Sequence, residues 1–153
     1  MNYYALDEAL AYLDGKISES FSVNYNKIKQ VEYEEASEEV FKACIDKFKK
    51  RIANITNDIA DQIYDKIEDY LDEDDPLYKQ YNSVSKIKSK LKVELVQFRK
   101  AYRDPYEGEF IIYLYLGSEV FGDQTIVSYV NICKDGQQTI FHKDYEVDVQ
   151  IED

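Results

Sequence analysis

Apolar residues recur along this chain with two periods, three-to-four through the first two thirds and two through the last third. Tyr4, Leu6, Leu10 and Leu13 recur at helical intervals and stop before Asp14 and Gly15, which predicts a short helix with a glycine end. Residues 16–34 are ambiguous, because the alternation of Phe21, Val23 and Tyr25 suits a strand while Asn24, Asn26 and the lysines suit an irregular connection. A long stripe then runs through Phe41, Ile45, Phe48, Ile52, Ile55, Ile59, Ile63, Ile67 and Tyr70, predicting a helix from an N-cap at Ser37 to Leu71. Asn54, Thr56 and Asn57 mark where a kink would fall. A second stripe passes through Leu77, Tyr81, Val84, Ile87, Leu91, Leu95, Phe98 and Tyr102, with Asp75 placed to cap it and Pro76 at its first position. The connection between the two is short, so the expectation is a long antiparallel helical hairpin over 37–103.

After Arg103, Asp104 and Pro105 the period becomes two, and β-branched and aromatic residues dominate. Three strands are predicted, near 109–116, 125–134 and 138–151, with a two-residue hairpin turn at Asp135 and Gly136. That turn places Ile126 opposite Tyr145, Val130 opposite Phe141 and Val127 opposite Asp144. One face then carries Ile126, Val130, Ile132, Phe141, Tyr145, Val147, Val149 and Ile151. The other carries Val127, Tyr129, His142, Asp144, Glu146, Asp148 and Glu152. The predicted fold is α+β: N-terminal helices including the long hairpin, followed by a C-terminal three-stranded antiparallel sheet. It is expected as a single domain over 1–153, mainly helical to 104 and sheet from 105, a length that suits one core.

Composition supports a folded chain, with 44% hydrophobic residues, 15 Tyr, 7 Phe and only five Gly and two Pro. Charge changes the picture more. Residues 1–78 carry 9 basic and 19 acidic side chains, 79–103 carry 8 and 1, and 104–153 carry 2 and 11, for a net charge of -12. Solubility does not require like charges to collect in blocks, so the sorting points to a charged partner. A polyanion such as DNA, RNA or an anionic membrane is disfavoured as direct ligand. The basic block, with Lys79, Lys86, Lys88, Lys90, Lys92, Arg99 and Lys100, reads more simply as a solvated face that lowers self-repulsion. The N-terminal residues have neither a basic start nor a long apolar run, so a cytoplasmic protein is expected.

Two acidic arrays stand out as partner-binding candidates. On the last strand, Asp144, Glu146, Asp148 and Glu152 alternate beside Tyr129, and alternate residues of a strand lie roughly 7 Å apart, close to the phosphate spacing of extended nucleic acid. The bland alternative is a solvated strand face charged against edge pairing. At the expected helical turn, Asp72, Glu73, Asp74 and Asp75 follow Glu68 and Asp69, where carboxylates oppose the helix dipole and so are not explained by local stability. The tip lacks the alternating ligands and central glycine of a calcium-binding loop.

Catalytic patterns are absent from the sequence. The only histidine, His142, stands near Asp144 without a nucleophile turn, the glycines form neither a phosphate loop nor a dinucleotide fingerprint, and Cys44 and Cys133 suit buried free thiols better than a bridge or zinc site. Neither enzyme activity, nor a cofactor, nor a metal is expected. In size and charge the chain resembles phage-encoded DNA mimics, including anti-CRISPR and anti-restriction proteins. The resemblance spans the whole chain, rests on charge rather than motif, and carries over no site residues. It implies an inhibitor whose carboxylates occupy the basic nucleic-acid-binding groove of a larger enzyme, such as a CRISPR nuclease or restriction enzyme. An immunity protein neutralising a bacterial toxin, or a scaffold acting through the long hairpin, are the alternatives.

Overall fold

The computed structural model describes residues 5–11, 38–117 and 120–152. Five helices among them precede a four-stranded antiparallel sheet: α1 over 6–11, α2 (Glu38–Lys50), α3 (Ile52–Tyr70), α4 (Tyr78–Tyr81), α5 (Val84–Lys90), then β1 (Lys92–Lys100), β2 (Tyr106–Tyr115), β3 (Thr125–Cys133) and β4 (Tyr145–Glu152). The strands form a meander in the order β1-β2-β3-β4, which leaves β1 and β4 at the two edges. The glycine end expected at Gly15, the ambiguous stretch 16–34 and the N-cap at Ser37 lie outside the described residues.

This architecture corrects the expected long hairpin and three-stranded sheet. The first long helix is broken at Arg51, whose φ of -107° and ψ of 11° leave the helical region. Arg51 N–H still bonds back to Phe48 and Lys47, and Ile55 N–H bonds to Arg51, so the chain restarts as a helix at once. The break allows α2 to lie on β1, β2 and β3 while α3 turns to lie on β4 and α5. A single straight helix cannot follow both parts of a twisted sheet. Asn54 and Asn57 remain helical, and Thr56 returns its hydroxyl to the Ile52 carbonyl at 2.7 Å.

The second expected helix ends at Lys90, and its remainder is the strand β1. Asp75 closes a turn instead of a long helix, its carboxylate accepting from Leu77 N–H at 2.8 Å, and Ser83 caps α5 by accepting from Lys86 N–H at 3.1 Å. A bulge between Val93 and Leu95 shifts the pleat, so Val93, Val96 and Phe98 all face the core while Leu95 is exposed. One inserted residue therefore replaces alternation with a spacing that imitates a helix.

The β3–β4 register also differs from expectation. Ile126 faces Ile151, Val130 faces Val147 and Val127 faces Gln150. Gly136 makes a turn at a φ of 75°, but the chain then makes a second one, in which His142 adopts a φ of 61° and Thr139 N–H bonds to the Lys143 carbonyl at 2.8 Å. Phe141, expected in the core, is therefore exposed, and His142 sits on a turn instead of a strand face. The slip is an even number of residues, so Tyr145 and Val149 still point inward and Glu146, Asp148 and Glu152 outward. Val127, expected on a polar face, is buried.

The core draws on all the helices and the sheet. Its centre is a phenylalanine cluster, with Phe41 and Phe98 rings 5.1 Å apart, Phe48 and Phe110 5.0 Å, and Phe98 and Phe110 5.0 Å. Edge-on and tilted contacts of this kind add about 0.5–1.5 kcal/mol each beyond burial. Gly108 makes the close approach of α2 to the sheet possible, since a Cβ there would lie 2.7 Å from Cys44 Sγ and from Phe98. Both cysteines are buried free thiols.

Candidate functional site

The acidic residues of β4 and of the helical region come together because α3 lies alongside the β4 edge. Tyr145 OH donates to Asp58 at 2.9 Å, and one turn further Gln62 donates to the Val147 carbonyl at 2.6 Å and accepts from Val149 N–H at 2.8 Å. The side-chain amide thus occupies edge groups that another strand would otherwise take. Helix and strand run in the same direction, so the tip that follows α3 and Glu152 at the end of β4 lie toward the same end of the sheet.

Glu146, Asp148 and Glu152 are exposed on the outward face of β4, and Asp61, Asp65, Glu68 and Asp69 are exposed on α3. Asp72, Glu73 and Asp74 are exposed at the tip that follows α3, while Asp75 is half-buried in its own turn. Each strand carboxylate is oriented by a neighbour. Tyr106 OH donates to Glu146, Gln150 donates to Asp148 at 2.8 Å, and Tyr129 OH donates to Glu152 at 2.8 Å. Burial first, then the adjoining carboxylate, pushes the Tyr106 and Tyr129 phenols up to about 12. They therefore stay protonated donors at neutral pH.

Asp144 departs from this row. It precedes β4 and pairs with Arg51 at the α2–α3 break, at 3.3 Å, so it does not stand on the outward strand face that the expected register gave it. The charge sorting acquires a spatial meaning as well. Lys92 and Arg99 lie on the β1 edge and Glu146, Asp148 and Glu152 on the β4 edge, at opposite sides of the sheet.

Sequence reasoning missed two parts of the site. Asp61 and Asp65 follow helical spacing away from Ile59, Ile63 and Ile67, a signal present in the sequence but readable only as a generic solvated face. Ile140 and Phe141 are 87% and 76% exposed on the turn before β4. That turn is held by Thr139, whose hydroxyl accepts from Phe141 N–H and Lys143 N–H, both at 3.3 Å. A groove of about 360 Å³ beside it is lined by Asp58, Asp61, Thr139, Phe141, Lys143 and Glu146. Phe141, Asp58 and Asp61 of α3 and Glu146 of β4 therefore line one concavity, in which Lys143 pairs with Asp58 at 3.5 Å.

Among the described residues no group of three or more His, Cys, Asp or Glu side chains is arranged to hold a metal, and no helix is long and apolar enough to cross a membrane. No protein-family model matches the chain, and no curated protein and no solved structure is significantly similar to it.

Proposed function

We propose that this chain is a binding protein whose carboxylates take the place of phosphates in the basic nucleic-acid-binding groove of a larger enzyme, the mode of action of anti-CRISPR and anti-restriction DNA mimics. The observation that carries this reading is the meeting of Asp58 and Asp61 of α3 and Glu146 of β4 in one groove with Phe141, which with Ile140 is exposed on the adjoining turn. A net charge of -12 attracts a basic partner and speeds encounter. Glu146 and Asp148, presented on alternate strand positions and hydrogen-bonded in place, meet Lys and Arg with little further ordering. Ile140 and Phe141, exposed on the turn before β4, supply what charge alone does not, an apolar anchor that excludes water beside the carboxylates. The scaffold alternative rested on a long helical hairpin, which the fold does not contain.

The test is affinity capture from a nuclease-treated bacterial lysate, with retained proteins identified by mass spectrometry and challenged with duplex DNA. Wild type is expected to retain a nucleic-acid-handling enzyme that DNA displaces, and a Glu146→Gln, Asp148→Asn, Glu152→Gln variant with an unchanged circular dichroism spectrum is expected to lose it. Retention of the same proteins by both forms, undisturbed by DNA, would reject the proposal.

A further inference from the structure

The basic block borders a second concavity, next to Glu146, whose carboxylate accepts from Tyr106 OH. At the β1–β2 end of the sheet a cavity of about 420 Å³ is lined by Arg99, Lys100, Tyr102, Arg103, Glu109 and Asn131, with Tyr106 beside them. That volume lies within the range of about 300 to 1,000 Å³ typical of small-molecule sites. Three cationic side chains face one carboxylate there, in a protein whose net charge is -12.

Among the described residues only Arg99 of these three cations has a carboxylate partner. Arg99 engages Glu109 at 2.6 Å through Nε and Nη2, which leaves its remaining N–H groups. Arg103 is carried over the Tyr106 ring, 5.2 Å from its centroid, a contact that orients the guanidinium without neutralising it. Among the described residues no carboxylate pairs with Lys100 or Arg103, and no group bonds the Asn131 side-chain amide. Tyr102, 65% exposed, borders the same space with an aromatic ring.

We propose that this cavity binds a phosphate ester of mononucleotide size, with Arg103, Lys100 and Asn131 donating to the phosphate and Tyr102 contacting the ring. Guanidinium and ammonium donors form charge-assisted hydrogen bonds to phosphate oxygens, and the net positive lining matches a dianion. A strand of nucleic acid presents the same chemistry at its terminus. The surrounding negative field repels its remaining phosphates, so the free nucleotide is the ligand.

Titration calorimetry at low salt with adenosine 5′-monophosphate tests this, beside adenosine, inorganic phosphate, malonate and a 5′-phosphorylated oligothymidylate. Saturable binding of the monophosphate is expected, weakened about tenfold or more by Arg103→Gln, since one charge-assisted contact is lost. Tyr102→Ala is expected to weaken the monophosphate while leaving inorganic phosphate unchanged. Both positions are exposed, and circular dichroism checks that the variants remain folded. Absence of saturable binding at millimolar monophosphate overturns the proposal, as does equal binding of malonate or indifference to Arg103→Gln. Tighter binding of the oligonucleotide overturns the assignment to a free nucleotide.

Discussion

Gln62 accepts a hydrogen bond from the N–H of Val149 at 2.8 Å, and its amide donates to Val147 at 2.6 Å, so one helical side chain closes part of the β4 edge. Replacing it with alanine removes both bonds and reopens the edge. Gln62→Ala is expected to cost about 1–2 kcal/mol, read as a lower urea midpoint, and to produce concentration-dependent association in sedimentation. Unchanged behaviour in both measurements would show that the edge does not depend on this residue.

Gly108 has no space for a side chain. Gly108→Ala places a methyl 2.7 Å from Cys44 Sγ and from Phe98, neither of which can withdraw from the packed phenylalanine cluster without moving α2. A loss of about 1–3 kcal/mol is expected in chemical denaturation, the usual scale of overpacking. Shortening Cys44 to alanine in the same chain relieves only the sulfur contact, so recovery is expected to be partial.

Ser128 is buried on the inner face of β3, and its hydroxyl has no hydrogen-bond partner among the described residues. Removing a desolvated, unpaired hydroxyl favours the native state. Ser128→Ala is expected to raise stability by about 1 kcal/mol. A lower melting temperature would mean that the hydroxyl is satisfied in solution.

Burial raises the Cys44 thiol from 9.0 to about 12, and burial with a neighbouring carboxylate raises the Tyr106, Tyr129 and Tyr145 phenols from 10.0 to about 12. These groups hold their protons more tightly folded than unfolded. Above pH 9 the unfolded chain loses protons that the native chain retains, so native stability is complete below pH 9 and falls between 9 and 12. Urea midpoints measured across that interval are expected to decline steadily. Native Cys44 is also expected to resist a thiol reagent at pH 8 until denaturant is added, because the thiolate is the reactive form.

Ile140 and Phe141 bury almost nothing in the isolated protein, at 87% and 76% exposure. Their joint replacement by serine is therefore expected to move stability by less than about 0.5 kcal/mol. The same variant is expected to release the captured partner. Loss of stability instead would assign the pair to the fold, not to an interface.

What the sequence determined by itself is what local periodicity encodes. The apolar stripe of Ile55, Ile59, Ile63 and Ile67 is a buried helix face, and Glu146, Asp148 and Glu152 point away from the core because successive strand side chains alternate. Tertiary structure decided everything that depends on distant partners. Leu91, Leu95 and Phe98 have helical spacing, yet residues 92–100 are a strand because β2 supplies their backbone partners and a bulge conceals the alternation. Helix α2 ends at Arg51 because two helices must follow two parts of a twisted sheet, a demand invisible in a stripe that continues unbroken through both. The β3–β4 register was settled by the second turn at Thr139–Lys143, which no hydrophobic pattern marks. The acidic strand was legible alone and the carboxylates of α3 only as a solvated face, and their joining at one groove was not legible at all. Alternation and helical spacing act over a few residues, whereas that joining depends on hydrogen bonds between Gln62 and residues more than eighty positions away.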